Sequence, residues 1–116
     1  MTYLFDTYAL LRIYEGARSY ERYSREEFVT TVLQIIELNY KLRKLPDPDA
    51  DALTSKFCRL ESITCGDVIE GARVREKIPE LSPADAIGYA VARRLQIPFL
   101  TGDGPMKRLP GVEFVR

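Results

Sequence analysis

The sequence predicts an α/β protein, a three-layer α/β/α sandwich around a central, mainly parallel sheet. Short β-prone apolar runs alternate with longer segments of helical spacing along the whole chain, and this alternation is typical of a parallel sheet covered on both faces. The 116 residues fit one domain, 1–116, and 46% hydrophobic with 29% charged residues is an ordinary globular composition.

The first half of the chain predicts two strand–helix pairs. Gly16 ends the first helical pattern, and Pro46 and Pro48 end the second, because proline cannot continue a helix. The predicted elements are strand 2–5, helix 7–15, a polar stretch 19–27 that is either a short helix or a loop, strand 28–30 and helix 31–44.

The second half predicts three helices and three short strands. Ser82 and Pro83 are an N-cap followed by a proline at the first helical position. The predicted elements are helix 49–60, a very short strand 62–64, helix 66–77, helix 83–95, strand 97–101, a turn at 102–105 and strand 112–115. On helix 66–77 the candidates for burial are the apolar positions Val68, Ile69, Ala72 and Val74.

Composition and charge exclude several classes of function. The chain has 17 basic and 17 acidic residues, so a strongly basic protein that wraps nucleic acid is excluded. It has 0 histidines, which excludes Ser-His-Asp and Cys-His catalysis and His-ligated zinc. Cys58 and Cys65 cannot complete a four-ligand site; a disulfide is possible, but we expect reduced thiols in a cytoplasmic protein. No apolar run spans a membrane, and the N-terminus lacks a signal peptide's features.

Four acidic residues occupy positions where an α/β sheet places its chemistry. Asp6 directly follows the first strand, and Asp103 follows the strand that ends near Thr101. Asp85 lies in the first turn of a helix, and Glu37 interrupts a largely apolar helix surface. Ligands of open α/β sheets bind beyond the carboxyl ends of the strands. Clustered carboxylates are costly unless a divalent cation such as Mg²⁺ or Mn²⁺ binds between them, and such a site can activate water against a phosphodiester.

Each of these acids also has an ordinary structural interpretation. Asp6 can cap the helix that follows it, and Asp85 is the fourth residue of a capping box that begins at Ser82. Asp103 can be a turn residue, and Glu37 can lie on a solvated stripe. The functional interpretation depends on all four occurring together in this order.

These segments resemble a PIN-domain ribonuclease, specifically the VapC type of toxin–antitoxin systems. The run Tyr3-Leu4-Phe5-Asp6-Thr7 is similar to the family's first strand, which ends in an acid followed by a small hydroxyl residue. The segments that resemble the other three acidic motifs are 31–38, 81–87 and 97–103, and the last is the most specific. The resemblance covers nearly the whole chain.

The resemblance implies a metal-dependent endoribonuclease. Asp6, Glu37, Asp85 and Asp103 would surround one or two Mg²⁺ or Mn²⁺ ions, and water would attack RNA to leave 5′-phosphate and 3′-hydroxyl ends. Thr7 and Thr101 would orient these acids through hydrogen bonds. The family also implies a VapB-type antitoxin partner and a homodimer.

The chain departs from the family in two places. The span 17–27, which in relatives helps to form the groove over the site, is short. Gly104, Pro105 and Met106 stand where many relatives carry a further acid or Asn, so a second metal ion would be held weakly. For RNA contact the best candidates are Lys107 and Arg108, which closely follow Asp103.

Three other functions compete with this interpretation. A phosphatase of the haloacid-dehalogenase type needs a second Asp two positions after the first, and Tyr8 occupies that position. A phosphoacceptor receiver domain needs paired acids after the first strand, which the chain lacks. The remaining alternative is a catalytically weak or inactive PIN-like module that binds a protein partner or RNA.

Overall fold

The computed structural model describes residues 1–116. Its strands are β1 (Thr2–Phe5), β2 (Glu27–Val29), β3 (Phe99–Thr101) and β4 (Val112–Phe114). Its α-helices are α1 (Thr7–Tyr14), α2 (Val32–Lys44), α3 (Ala50–Phe57), α4 (Cys65–Lys77) and α5 (Pro83–Leu95), and two 3₁₀ helices span Arg18–Tyr23 and Gly104–Met106. No helix is long and apolar enough to cross a membrane.

The four strands form one sheet in the order β2-β1-β3-β4, and every pairing is parallel. β1 and β3 are neighbours at the centre, with Phe5 opposite Leu100. The backbone N–H of Asp6 donates to the Leu100 carbonyl at 3.3 Å, which extends this pairing beyond β1. Because parallel strands end at the same edge of the sheet, Asp6 and Asp103 emerge side by side.

Alternation along β1 divides the core into two clusters, one on each face of the sheet. Tyr3 and Phe5 pack with α1, α2, α3 and the first 3₁₀ helix, whereas Leu4 packs with α5 and the end of α4. The predicted α/β/α sandwich is therefore confirmed, with helices on both faces of a sheet that is wholly parallel.

The packing of α4 differs from the prediction. Val68 and Ile69, two candidates for burial, are 49% and 50% exposed, Ala72 is also exposed and Val74 is half-buried. The buried face of α4 instead presents Gly71, where an added Cβ would lie 3.1 Å from the Ile87 side chain of α5. The small residue allows the two helices to approach closely, which leaves the larger apolar side chains on the outer surface.

The predicted strand at 62–64 is wrong. Thr64 is the N-cap of α4, and its hydroxyl and the Asp67 carboxylate form a reciprocal capping box. The parallel bridge lies earlier in the chain, between Thr30 and Leu60. Because Leu60 takes part in this bridge, it is not helical, and α3 ends at Phe57 instead of the predicted residue 60. Polar residues at 62 and 64 fit a helix start better than a strand, since their hydroxyls can cap N–H groups.

The polar stretch 19–27 forms a 3₁₀ helix and the start of β2. Tyr20 and Tyr23 are 1% and 3% exposed, so this short segment is anchored by its aromatic rings. The Tyr20 hydroxyl donates to the Val115 carbonyl at 2.6 Å. The short connection therefore ties the first third of the chain to its C-terminal end.

Candidate active site

One cleft of about 250 Å³ gathers all four acids predicted from the sequence. It lies at the edge of the sheet where β1 and β3 end. Separate segments supply the acids: Asp6 follows β1, Glu37 lies on α2, Asp85 lies in the first turn of α5, and Asp103 follows β3. The other residues of the cleft wall are Thr7, Tyr8, Lys41 and Ser82.

Asp6 caps a helix and also lies at the base of the cleft. Its Oδ1 accepts from the Ala9 N–H at 2.8 Å, which is the N-cap bond of α1. Its Oδ2 accepts a hydrogen bond from the Thr101 hydroxyl. The residue is 1% exposed, and this burial raises its pKa to about 7 against the lowering effect of the two hydrogen bonds, with a smaller rise from the charges of Asp103 and Glu37.

Asp85 forms only one of the two hydrogen bonds of a capping box with Ser82. Its N–H donates to the Ser82 hydroxyl at 3.1 Å, but the reciprocal bond from the Ser82 N–H to the Asp85 carboxylate is not formed. The carboxyl group faces the cleft instead. Burial, followed by the neighbouring carboxyl groups of Asp103 and Asp6, raises the pKa of Asp85 to about 8, against a lowering effect of the Ser82 hydroxyl.

Glu37 and Asp103 are half-buried, and each is linked to a threonine. The Thr7 hydroxyl donates to Glu37 Oε1 at 2.7 Å. The Asp103 N–H donates to Thr101 Oγ1 at 3.0 Å, and the same Thr101 hydroxyl donates to Asp6. Glu37 thus lies on the cleft wall instead of a solvated stripe, and each threonine forms a hydrogen bond with acidic residues of the cleft.

Three neighbours of the acids were missed as site residues by the sequence analysis. Lys41 is exposed and lies one turn after Glu37 on α2, so the spacing i, i+4 could have placed it beside that acid. The ring of Tyr8 lies so close to Gly102 that an added Cβ there would be 2.2 Å from it. Gln34 lies on α2, where it is completely buried against α5. The available signal is its polar side chain between the apolar residues Leu33 and Ile35.

The basic residues proposed for RNA contact do not line the cleft. Lys107 and Arg108 are exposed, and the Lys107 ammonium lies 5.3 Å from the centre of the Phe114 ring. Arg94, in another basic cluster of the sequence, is structural, because its guanidinium donates to Asp67 and to the Ser62 carbonyl. Arg94 and Asp67 line a larger groove of about 430 Å³ between α4 and α5, where the acid is already paired.

The family model of the PIN domain matches residues 3–112. The chain belongs to the PIN-domain family. No curated protein matches it by sequence.

Solved structures with this PIN fold include toxins of toxin–antitoxin systems. A toxin–antitoxin complex from Klebsiella pneumoniae superposes with a TM-score of 0.77 at 18% identity, over 95% of this chain and 94% of the other. VapBC2 from Rickettsia felis, bound to a promoter DNA fragment, gives 0.74 at 17% identity over 100% of both chains. Mycobacterium tuberculosis VapC20, a toxin that cleaves the sarcin–ricin loop, gives 0.73 at 23% identity over 98% and 99%.

The donor set of the cleft fits the divalent metal ions that PIN domains generally use. Four carboxylates and no histidine or thiol line the cleft, and hard cations such as Mg²⁺ prefer such oxygen ligands. The raised pKa values of Asp6 and Asp85 show that burial and mutual repulsion disfavour the charged acids here. As the side chains stand, no three of them have the spacing of a complete metal centre, so a bound metal ion would require these carboxylates to move.

Proposed function

We propose that this PIN-domain chain is a metal-dependent endoribonuclease of the VapC type, which hydrolyses RNA and leaves 5′-phosphate and 3′-hydroxyl ends. VapC toxins are ribonucleases, and the fold of this chain is shared with VapC20 over nearly its full length. The observation that carries the proposal is the convergence of four acids, from four separate segments, on one cleft.

In this proposal Asp6, Glu37, Asp85 and Asp103 hold Mg²⁺ or Mn²⁺. The bound cation would supply positive charge that offsets the carboxylates and the RNA phosphate and would make water a stronger nucleophile. The protein's part is to fix these acids. Thr101 bridges Asp6 and the Asp103 backbone, and Thr7 holds Glu37, so hydrogen bonds orient the acids on both sides of the cleft.

The remaining cleft residues fit contact with a nucleotide strand. Lys41 is the one cationic side chain in the cleft wall, and an ammonium there can pair with an RNA phosphate. Tyr8 offers an aromatic ring beside the acids, and unpaired bases of RNA stack on such rings. Lys107 and Arg108, outside the cleft, would contact phosphates further along the strand. These features favour single-stranded RNA, whose unpaired bases are free to stack on an aromatic side chain.

Cleavage of RNA by the purified chain tests this proposal. We expect Mg²⁺ or Mn²⁺ to support endonucleolytic cleavage and EDTA to abolish it. Asp6→Asn and Asp103→Asn keep the side-chain size but remove a carboxylate, so we expect each to lower cleavage by at least about 100-fold. Glu76→Gln, an exposed acid on α4 away from the cleft, is the matched control and should cleave normally. EDTA-resistant cleavage that survives both Asn variants would reject the metal mechanism.

The inactive PIN-like module predicts a different result in the same experiment. In that case RNA or a protein partner binds, but no cleavage occurs at any metal concentration. Because all four acids are present and face one cleft, the structure favours the enzyme over this alternative.

The proposed protein partner is a VapB-type antitoxin, and the proposed location is the cytoplasm. The Klebsiella structure with this fold is a toxin–antitoxin complex, and the Rickettsia structure is a VapBC complex bound to promoter DNA. Three exposed apolar side chains recur every four residues along α2, the helix that also carries Glu37; they are Val32, Ile36 and Tyr40. A segment of an antitoxin that covers this strip would also lie beside the cleft.

A further inference from the structure

Gln34 is a completely buried amide that joins the two helices carrying Glu37 and Asp85. Its Nε2 donates to the Ala84 carbonyl at 2.7 Å, and its Oε1 accepts a hydrogen bond from the Thr31 hydroxyl. The side chain is 0% exposed. Both ends of the amide are therefore satisfied, one by the N-cap of α2 and the other by the first turn of α5.

The two ends of the hydrogen bond between Gln34 and Ala84 lie close in sequence to Glu37 and Asp85. Ala84 directly precedes Asp85, and Gln34 lies three residues before Glu37, nearly one turn away on the same helix. The Thr7 hydroxyl, which donates its one proton to Glu37 Oε1 at 2.7 Å, also lies 3.4 Å from the backbone carbonyl of Gln34. The Gln34 side chain thus joins α2, which carries Glu37, to the first turn of α5, which carries Asp85.

α5 carries a glycine that makes room for this amide. A Cβ added at Gly88 would lie 2.6 Å from Gln34 Nε2 and 3.0 Å from the Phe99 ring. Glycine inside a helix is unfavourable relative to alanine, so its presence here fits a need for space. A buried amide is also costlier than an apolar side chain unless both its groups are bonded, and packing alone would be served by leucine or methionine.

We infer that Gln34 is a positioning residue, which fixes the separation of Glu37 and Asp85 and thereby sets the affinity of the cleft for a divalent cation. The inference rests on the metal site of the proposed function. It does not require that RNA be the substrate.

Titration of the RNA-free protein with Mn²⁺ by calorimetry, at one pH, tests this inference. Gln34→Met keeps the length of the side chain and removes both hydrogen bonds, and we expect the Kd for Mn²⁺ to rise about ten-fold, since loss of a group that orients metal ligands weakens affinity by 10- to 100-fold. Leu42→Val, a core change on the same helix away from the cleft, is the matched control. It should lower the Tm while the Kd changes by less than about two-fold.

A second variant covers the case in which Gln34→Met does not fold. Gly88→Ala pushes the amide away without removing it, so the Kd should also rise. An unchanged Kd in folded Gly88→Ala would overturn the inference.

The outcomes separate this inference from the proposed ribonuclease. An unchanged Kd in Gln34→Met, with RNA cleavage intact in the parent protein, overturns the positioning role alone. Mn²⁺ binding that weakens as expected in a chain that does not cleave RNA supports the positioning role and rejects the ribonuclease. A parent protein that binds no Mn²⁺ rejects both.

Discussion

Asp6 illustrates how one residue serves the fold and the cleft together. One carboxylate oxygen caps α1 and the other accepts from Thr101, and the side chain is almost fully buried. Because its pKa is raised to about 7, the metal-free native protein holds a proton on Asp6 between about pH 4 and pH 7 that the unfolded chain releases. Stability in the absence of metal therefore depends on pH through this residue.

The first prediction concerns that pH dependence. Burial is the main reason that the pKa of Asp6 rises from 3.8 to about 7, and burial together with the carboxyl groups of Asp103 and Asp6 raises that of Asp85 to about 8. Between about pH 4 and these values the native state binds more protons than the unfolded state, so the free energy of unfolding falls as pH rises. In EDTA, we expect the Tm to fall between pH 5 and pH 8; the contribution of Asp6 is at most about 4 kcal/mol, because one pKa unit is worth about 1.4 kcal/mol.

Two comparisons check the origin of this slope by thermal melting. Asp6→Asn mimics the protonated acid and should reduce the slope to the part that Asp85 contributes, while Glu76→Gln should leave the profile unchanged. Millimolar Mg²⁺ should raise the Tm more at pH 8 than at pH 5, because protons compete with the cation for the carboxylates. A melting temperature that is independent of pH and of Mg²⁺ would contradict a buried carboxylate cluster.

The second prediction concerns Thr101, whose hydroxyl donates to Asp6 while its oxygen accepts from the Asp103 N–H. Thr101→Val keeps the shape and removes both bonds, and we expect kcat/KM for RNA to fall by about 10- to 100-fold. Thr101→Ser keeps the hydroxyl and should retain most of the activity. Equal activities of the valine and serine variants would show that the hydroxyl does not matter.

At this scale the acids could be predicted from the sequence, while their supports could not. Asp6 and Asp103 follow β-prone runs, and Asp85 follows Ser82-Pro83, so local patterns place them near strand and helix ends. Gln34 contacts a carbonyl 50 residues away, and no local pattern specifies that partner. The same holds for the 95-residue separation between Thr101 and Asp6.

Among the elements, α4 shows how a helix can be held by its polar residues. The Asp67 carboxylate accepts from the Thr64 N–H at 2.8 Å and from Arg94 Nε at 3.0 Å, and it is 3% exposed. Burial acts to raise its pKa, but the hydrogen bonds from Arg94 and Thr64 prevail and hold the pKa below its usual range. Asp67 thus fixes both the start of α4 and its contact with α5.

The third prediction follows from this contact. Asp67→Ala removes the N3 partner of the capping box and the ion pair with Arg94, so we expect a loss of about 1–3 kcal/mol in the free energy of unfolding. Urea denaturation measures it. Glu70→Ala, which removes an exposed ion pair with Arg73 on the same helix, is the control and should cost less than about 0.5 kcal/mol. RNA cleavage by folded Asp67→Ala should be normal, because the groove of this pair is separate from the acids.

The pattern of α4 misled the sequence analysis for a physical reason. Val68 and Ile69 suggested burial because they are large and apolar, but Gly71 determines which face meets α5. A close helix–helix contact rewards a small residue, which a search for large apolar residues does not find. By contrast, α5 was predicted to its observed bounds, because Ser82, Pro83 and a run of small apolar residues mark it locally.

At the scale of the whole molecule, some large apolar side chains belong to neither core cluster and are exposed on the surface. Val32, Ile36 and Tyr40 form one strip on α2, and Val68 and Ile69 form a pair on α4. The strand order β2-β1-β3-β4 could not be read from the sequence, since pairing depends on distant contacts. Which surfaces stay uncovered could not be predicted for the same reason.

The fourth prediction assigns the α4 pair to the homodimer that the resemblance implies. Ile69 is 50% exposed, and a charge at the centre of an apolar interface opposes association. We expect the parent chain to be a dimer by light scattering and Ile69→Lys to shift it to the monomer. Ile36→Lys adds the same charge to another exposed isoleucine, 66% exposed on α2, and should remain dimeric. A monomeric parent chain would refute the prediction.

Tyr8 occupies its place in the cleft only because residue 102 has no side chain. An added Cβ there would overlap the Tyr8 ring at 2.2 Å and would also meet the Val115 carbonyl at 2.5 Å. Positions 8 and 102 therefore cannot vary independently. A residue larger than glycine at 102 requires a smaller side chain at 8 and a shift of the C-terminal segment around Val115. In a library randomised at both positions and selected for folding, a large residue at one position should therefore occur together with a small residue at the other.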